Sequence, residues 1–422
     1  MRWIIFLLIV VLFLITATII VVMLLSRHSL IPYPIQRFFV FKVLNASISD
    51  SSLIEIHNEK ALVHRVWTHG EVGLGESYVE GDWNSRDLST FLSQLIQSNR
   101  SSSFQKPSWW SKIIAHHFSP QQDKMNIEHH YDVGNDFYDI FLTDPFQAYS
   151  CAIWSSSAMT LAEAQKNKID IIIRKMSLGK NKKDANILDI GCGWGKIGDY
   201  VSRQTGARVT GVTLSEKQYE SAQQLSKQNP RWTVKIKDYR DLPSETKQYD
   251  AIYSIGMMEH VRVENYNTFF QVIQQILKPG GRMVLHTIIK GKEVDTNYHE
   301  IPSYVTAHIF PGGQIPCLGW MESEIIANGM QIEHVEYFGG QHYAETLFVW
   351  RQQLVTRTPE ILSWKDEKGR QKYPLHLIRS YLYYFTVCEM LFRNGEFHTA
   401  HLIIVNAPLL KLTVLPPRMQ IG

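Results

Sequence analysis

The sequence predicts an α/β chain whose parallel sheet is covered by helices on both faces. Three observations carry that class. From about residue 160 to 290, short apolar runs alternate with helical patterns of about 10–16 residues, the rhythm of strands joined by crossover helices. The run "LDIGCGWG" (188–195) passes from an apolar strand into three glycines spaced two apart. Polar residues then close the later strands at the same end, where ligands gather in open α/β sheets.

The first element lies outside this pattern. Residues 3–25, "WIIFLLIVVLFLITATIIVVMLL", run for 23 residues without a charge. At about 1.5 Å per residue a helix of that length is roughly 34 Å long, enough to span a bilayer's hydrocarbon core. The alternative is a cleaved signal peptide, whose apolar region is usually about 7–15 residues before a small-residue cleavage site. "MLLSRHS" lacks that site, so a transmembrane anchor is expected. Only Arg2 and the amino terminus precede the run, whereas Arg27, Arg37 and Lys42 follow it. The positive-inside rule then places the catalytic domain on the cytosolic side of a membrane, as a single-pass protein. The sequons at Asn45 and Asn99 would oppose this only if the body were luminal.

Residues 26–52, with two prolines, read as a juxtamembrane linker. Residues 53–97 read as a small N-terminal domain. In it "ALVHRVW" alternates enough for a strand, "HGEVGLGESYVEGDW" is rich in glycines and turns, and "LSTFLSQLIQS" carries a helical stripe. "SNRSSSFQKPS" (98–108) is the expected linker, since nothing in it could form a core. "WWSKIIAHHF" (109–118) is a short amphipathic helix that could pack on the body or lie at a membrane interface.

The main domain, 109–405, holds the alternating pattern, and 406–422 is a tail. Thr160 and Glu163 form a capping box before "LAEAQKNKIDIIIRKMSL". "ANILDIG" is a strand, and "KIGDYVSRQTG" is a helix ending near Gly206. "RVTGVTLS" is the second strand, followed by a helix that Pro230 stops. "WTVKIKD" and "YDAIYSIG" are the third and fourth strands. "YNTFFQVIQQILKPGG" is a helix with its stop signal, and "RMVLHTII" is the fifth strand.

Several function classes are excluded or weakened. The formal charge is +3, and no run of Lys and Arg is interleaved with aromatics as a nucleic-acid groove would need. Cys151, Cys192, Cys317 and Cys388 are scattered, which suits free thiols better than a zinc site or disulfide scaffold. The pairs His116–His117 and His129–His130 are adjacent and do not converge on one metal. Trp109 and Trp110 read as packing residues, Tyr383 and Tyr384 as core or tunnel wall. The oligomeric state is not legible, and a homodimer is left open.

The glycine turn is a nucleotide-type loop, since glycines let the backbone approach a ligand closely. G-C-G-W-G departs from G-x-G-x-x-G, and no phosphate-binding lysine follows. Asp189 closes the first strand, and Asp238 follows the third. "IGMMEH" follows the fourth strand. The second strand ends at Thr213 rather than at the acidic residue that grips a ribose diol. That counts against NAD and leaves S-adenosylmethionine as the better fit.

"HHYDVGNDFY", "QAYSCAIW", "LDIGCGWG", "GVTLSEKQ", "DYRDLP", "GMMEHV", "LHTI" and "HYAETL" resemble, in order and spacing, the family of cyclopropane-fatty-acid and mycolic-acid cyclopropane synthases. The resemblance runs from about residue 53 to 405. It includes "GEVGLGESYVEGDW" near the start and "YYFTVCEMLFR" near the end, but not the N-terminal apolar run. It implies a Rossmann-like, class I S-adenosylmethionine-dependent methyltransferase fold acting on a lipid alkene. Tyr131 and the 132–136 segment, with Gly134, would close over the cofactor's methionine end. Tyr149 and Ser150 would join them at the cofactor. Asp189, Gly191, Gly193 and Gly195 would form the floor. Thr213, Leu214 and Gln218 would flank ribose and adenine, with Asp238 and Tyr239 near the adenine edge. The family uses a bicarbonate ion as base, and the positions matching its pocket are Cys151, Glu259, His286, Ile288 and Tyr343.

The chemistry accounts for such a set. A neutral alkene attacks the methyl of a sulfonium, so positive charge moves to carbon, and the new methyl must lose a proton for a ring to close. An anion held there would serve both needs. The expected reaction forms a cyclopropane on an unsaturated membrane phospholipid chain. The alternatives are C-methylation giving a branched acyl chain or sphingoid base, N-methylation of a small amine, and a silent lipid-binding protein.

Overall fold

The computed structural model describes residues 31–101, 134–180, 182–245, 248–290, 299–300 and 303–407. These fall into two compact units. One comprises Met1–His117, Pro302–Ile309 and Trp350–Asn394, and the other Phe118–Ile301, Phe310–Val349 and Gly395–Gly422.

The first unit opens with helix α1 (Tyr33–Ser47), strand β1 (Ile54–Ile56), helices α2 (Glu59–His69) and α3 (Glu71–Val79), strand β2 (Trp83–Ser85) and helix α4 (Leu88–Ser101). Four expectations are corrected here. Much of the supposed linker is α1: Pro32 caps it and Pro34 falls in its first turn, where a missing N–H costs nothing. Val40 and Leu44 of that helix enter a core with Leu62, Val63, Trp83 and Phe91. "ALVHRVW" is helical, not a strand. The Asn58 side chain accepts the Ala61 N–H, and Leu62–Val63 and Val66–Trp67 recur one turn apart on the buried side. Of the glycines read as turns, Gly70 and Gly81 do turn the chain at positive φ, but Gly73 and Gly75 lie inside α3 and let it pack closely, since a Cβ at Gly75 would stand 2.3 Å from the Tyr304 ring. Helix α4 runs on through Ser101, into the stretch expected as a linker. β1 and β2 pair antiparallel, and the helices Ser303–His308 and Leu375–Arg393 belong to this unit.

The second unit carries α5 (Asn135–Tyr138), α6 (Leu161–Lys175), β3 (Asn186–Ile190), α7 (Lys196–Thr205), β4 (Arg208–Thr213), α8 (Glu216–Gln228), β5 (Trp232–Ile236), β6 (Tyr249–Ile255), α9 (Tyr266–Ile276) and β7 (Leu277–Lys290). After a two-residue pair, β8 (His299–Glu300) with β9 (Gln314–Ile315), come α10 (Leu318–Ala327), β10 (Gln331–Phe338), the start of α11 (Gly340–Ser363) and β11 (Phe397–Val405). The expected capping box forms: the Thr160 side chain accepts the Glu163 N–H, and Glu163 accepts the Thr160 N–H.

The seven-stranded sheet runs β10-β11-β7-β6-β3-β4-β5. Strands β3 to β7 are parallel as expected, but the sheet is mixed, because β11 is antiparallel to both β7 and β10. β11 returns from more than a hundred residues downstream of β7, outside the run of parallel strand–helix units. The expected stop signal "KPGG" also changes role. α9 ends at Ile276 and "LKPGG" opens β7, where Gly280 donates its N–H to the Asn406 carbonyl.

Both faces are covered. Ile187, Val209, Tyr253 and Val284 pack with Ile169 and Ile172 of α6, Val201 of α7 and Ala222 of α8. Leu188, Ile252, Leu285 and Leu402 pack with Phe269 and Ile273 of α9 and with Met321 of α10. Each such side chain contributes about 1.5–3 kcal/mol of burial, so the strand order that aligns the cleft is fixed by its two cores.

The expectation of a single-pass membrane protein with a cytosolic body is withdrawn. Among the described residues no helix is long and apolar enough to cross a membrane, and residues 3–25 lie outside the described residues. The amphipathic stretch 109–118, the paired histidines 116–117 and 129–130, and Tyr131 also lie outside them.

Candidate active site

β3 delivers its end to a tight turn. Gly191 and Cys192 both donate N–H groups to the Val212 carbonyl of β4 at 3.0 Å, which pins the turn to the sheet. Gly193 has a φ of +54°, and a Cβ added there would meet nothing within 4 Å, so it faces an open cleft. Gly195 does different work. Its Cβ would stand 2.6 Å from that of Ala222, so its smallness lets α7 begin against α8.

The cleft lies at the carboxyl ends of the strands. Asp189, Gly191 and Gly193 form part of its wall, with Thr213, Leu214 and Gln218 from the end of β4 and the start of α8. Asp238 and Tyr239 enter from beyond β5, and Tyr149 and Ser150 from the segment before α6. Gly195 and Gly134 are not in this wall. Gly134 precedes α5, whose Asn135 accepts the Trp194 indole N–H at 3.0 Å and so reaches the glycine turn indirectly.

The polar groups of the wall are held in set directions. The Thr213 hydroxyl donates to Gln218 Oε1 at 2.9 Å, both residues being buried. Both Asp238 carboxylate oxygens are taken by Arg240, at 2.9 Å from Nε and 2.6 Å from Nη2. Asp189 is only 3% exposed and accepts the Tyr253 hydroxyl at 2.8 Å. Burial pushes its carboxyl up to about 7, against which the Tyr253 hydrogen bond acts. A buried carboxylate that nearly keeps its proton is suited to meeting a cationic ligand.

A second group of residues gathers around the end of β7. Glu259 Oε1 accepts the Ile288 N–H at 2.7 Å and the Thr287 hydroxyl at 3.0 Å. Its other oxygen, Oε2, is buried without a hydrogen-bond partner, and burial raises the carboxyl above the usual range. His286 lies two residues before Ile288 and therefore on the same face of β7. Its carbonyl accepts the N–H of Gly256, which lines the cleft. Across the ladder, Thr399 stands opposite Ile288 and donates to Cys151 Sγ at 3.7 Å. The Cys151 thiol is pushed up to about 12 by burial, so it is no thiolate.

Glu259 thus reaches Thr287 and Ile288 directly, and Cys151 reaches the same length of strand through Thr399, two residues along from His286. Tyr343 is placed differently, half-buried on the first turn of α11. The neighbours of Cys151 dock on that turn: Ala152 N–H donates to Thr346 Oγ1 and Trp154 N–H to His342 Nδ1, both at 3.1 Å.

Sequence reading missed several partners. Lys168 is fully buried on α6 and donates to the Ser150 hydroxyl at 2.7 Å. His260 was not missed: it closes the "IGMMEH" turn expected at the strand ends, lines the cleft, and has its imidazole lowered to about 4 by burial. His401 lies against His286. Only the capping box before α6 and the apolar run of β11 were visible signs of the elements that carry Lys168 and His401. All four cysteines are free, and no cluster able to hold a metal occurs among the described residues.

Comparison with known proteins places this geometry. Residues 118–402 match the family model described as mycolic acid cyclopropane synthetase. The chain is 34% identical over 339 residues to the cyclopropane-fatty-acyl-phospholipid synthase of Escherichia coli K12, covering 79% of this chain and 82% of that one. It resembles the solved cyclopropane synthase MmaA2 from Mycobacterium tuberculosis at 30% identity and a TM-score of 0.59, over 69% of this chain and 100% of that one. A structure of mycolic acid cyclopropane synthase CmaA1 complexed with SAH and CTAB matches at 30% identity and a TM-score of 0.57, over 67% of this chain and 98% of that one. With a cleft of the methyltransferase kind and these relatives over most of its length, the chain is an S-adenosylmethionine-dependent enzyme that belongs to the mycolic acid cyclopropane synthetase family.

Proposed function

We propose that the enzyme adds a methylene carbon from S-adenosylmethionine to a cis double bond of an unsaturated phospholipid acyl chain, forming a cyclopropane, with bicarbonate as the general base. The observation that carries the reading is Glu259. One carboxyl oxygen is satisfied by Ile288 and Thr287, while the other is buried without a partner beside His286's strand. An unpartnered buried oxygen is costly unless something binds it. A small hydrogen-bonding ion fits that chemistry: the carboxyl is raised by burial, so Oε2 can carry a proton and donate it.

When bound, the cofactor supplies an electrophilic methyl on a sulfonium, and bicarbonate supplies a base for the proton that must leave before the ring closes. The protein's own part is to orient and to exclude water. Asp189 would meet the cofactor's positive charge, and Gly191 and Gly193 would let the backbone approach it. Thr213, Leu214 and Gln218 would border its ribose and adenine, together with Asp238 and Tyr239. Tyr149, Ser150 and Gly134 would close its methionine end, with Gly195 supporting the turn and Tyr131 completing the cover. Glu259, carrying a proton at Oε2, would donate to the ion, as would His286 and the Tyr343 hydroxyl. Cys151 and Ile288 would line the ion's site by backbone and bulk. Burial of this group strengthens each hydrogen bond and keeps water from the cation that develops on carbon.

The test is lipid analysis after expression in cells that lack cyclopropane lipids. The expected product is a fatty ester heavier by one CH2, resistant to hydrogenation and showing high-field ring protons by NMR. A product of the same mass that lacks ring protons and takes up hydrogen, or a saturated methyl-branched ester two hydrogens heavier, formed with the host's reductant, would favour lipid C-methylation instead.

A further inference from the structure

Behind His286 runs a chain of polar groups with no role in the reading above. His286 Nδ1 lies 2.8 Å from His401 Nε2, and His401 Nδ1 lies 2.7 Å from Lys175 Nζ. Lys175 also pairs with Glu336 and lies 5.3 Å from the Phe338 ring centroid. His286 and His401 are 2% and 0% exposed and stand directly opposite each other on β7 and β11. The charged groups facing them are Lys168 and Lys175 of α6 and Glu336 of β10, which stands opposite His401, and burial together with the two cations disfavours the imidazolium form of both rings.

The direction of each hydrogen bond follows from the outermost member. An ammonium has three donors and no acceptor, and the ion pair with Glu336 favours that form of Lys175 against the burial that lowers its pKa. His401 Nδ1 must therefore accept. A neutral ring then carries its hydrogen on Nε2 and donates it to His286 Nδ1. That nitrogen accepts in turn, so the remaining hydrogen of His286 sits on its own Nε2, which makes no hydrogen bond to a described residue. We propose that Lys175, acting through His401, fixes His286 as a neutral imidazole with its hydrogen on Nε2, so that His286 serves as a hydrogen-bond donor and not as the base. Lys175 and His401 are positioning residues. The proposal rests on His286 belonging to the reaction site, and it deepens that reading by assigning the polarity: His286 donates to an anion and takes no proton from the substrate.

Long-range proton–nitrogen NMR of the full-length enzyme with isotopically labelled histidine tests this, with His286→Asn and His401→Gln assigning the two rings. Near neutral pH both rings should show the Nε2–H tautomer. In Lys175→Met, of nearly equal length, the donor is gone, and His286 should shift to a mixture of tautomers while its bicarbonate requirement rises about five- to tenfold. His401→Gln keeps an amide donor for His286 and should restore more activity than His401→Leu. An Nδ1–H or doubly protonated His286 in the native enzyme overturns the proposal, as does an unchanged tautomer in Lys175→Met. If the tautomers are as stated but His286→Asn is fully active, the polar chain stands and the placing of His286 in the reaction fails.

Discussion

The Tyr253 hydroxyl donates to Asp189 Oδ2 at 2.8 Å, and burial leaves that carboxyl titrating at about 7. Binding a cation favours the ionised carboxylate, so a proton must leave whenever the cofactor binds below that pH. S-adenosylmethionine affinity should therefore rise with pH up to about 7 and level off above it, changing by up to about tenfold per pH unit on the acid side. Asp189→Asn should flatten the profile and weaken binding. Tyr253→Phe removes a donor that favours the charged form and should move the midpoint upward. Titration calorimetry across the range checks the sign, and a downward midpoint in Tyr253→Phe would contradict it.

Glu259→Gln preserves an acceptor for the Ile288 N–H but removes the acidic proton. Because the group acts where charge develops rather than where the cofactor rests, kcat should fall by roughly 10²-fold or more while the Michaelis constant for S-adenosylmethionine stays near its native value. A variant altered only in cofactor affinity would move Glu259 into the cofactor cleft.

Gly193 and Gly195 should separate function from packing. Gly195→Ala forces a Cβ to 2.6 Å from that of Ala222 at a φ of +81°, and should lower stability by about 1–3 kcal/mol in a denaturant titration. Gly193→Ala meets no atom within 4 Å, so its cost is limited to a strained φ. It should weaken cofactor binding more than it lowers stability.

What could be read from the sequence was what has a period or a sharp local signature. β3, β4 and β6 showed because each is a largely apolar run that leads into a helix, and the Thr160–Glu163 capping box showed because its spacing is fixed. β11 did not show, since it returns antiparallel to β7 from more than a hundred residues downstream, outside the run of parallel strand–helix units. α2 was mistaken for a strand because Leu62, Val63, Val66 and Trp67 fit two periods over so short a run. In the site, the glycine turn and Thr213 were legible as strand ends. The link from Lys175 to His401 joins positions more than two hundred residues apart, and no local pattern predicts such a pairing. The anchor was inferred from composition alone, and no helix among the described residues supports it.

Activity should depend on bicarbonate itself and not on ionic strength. Glu259 Oε2 is buried without a partner, and its carboxyl is raised by burial, so it is poised to donate. The deduced polarity of His286 makes its Nε2 a second donor, and Tyr343 on α11 supplies a third by the proposed assignment. In the proposed site these three donors would suit an anion with several acceptor oxygens, and none of the three would then act as the base. In carbonate-free buffer the rate should fall to a small fraction and return on adding bicarbonate, whereas chloride or sulfate at equal ionic strength should not restore it, since screening alone acts on exposed charges. Tyr343→Phe should raise the half-saturating bicarbonate concentration about tenfold, the effect of losing one hydrogen bond to a charged group worth roughly 1.5–3 kcal/mol. Full activity in verified carbonate-free buffer would return the proton to a side chain. Because His286 is held as a donor, Glu259 would then be the group to examine, and its ionised rather than its protonated form.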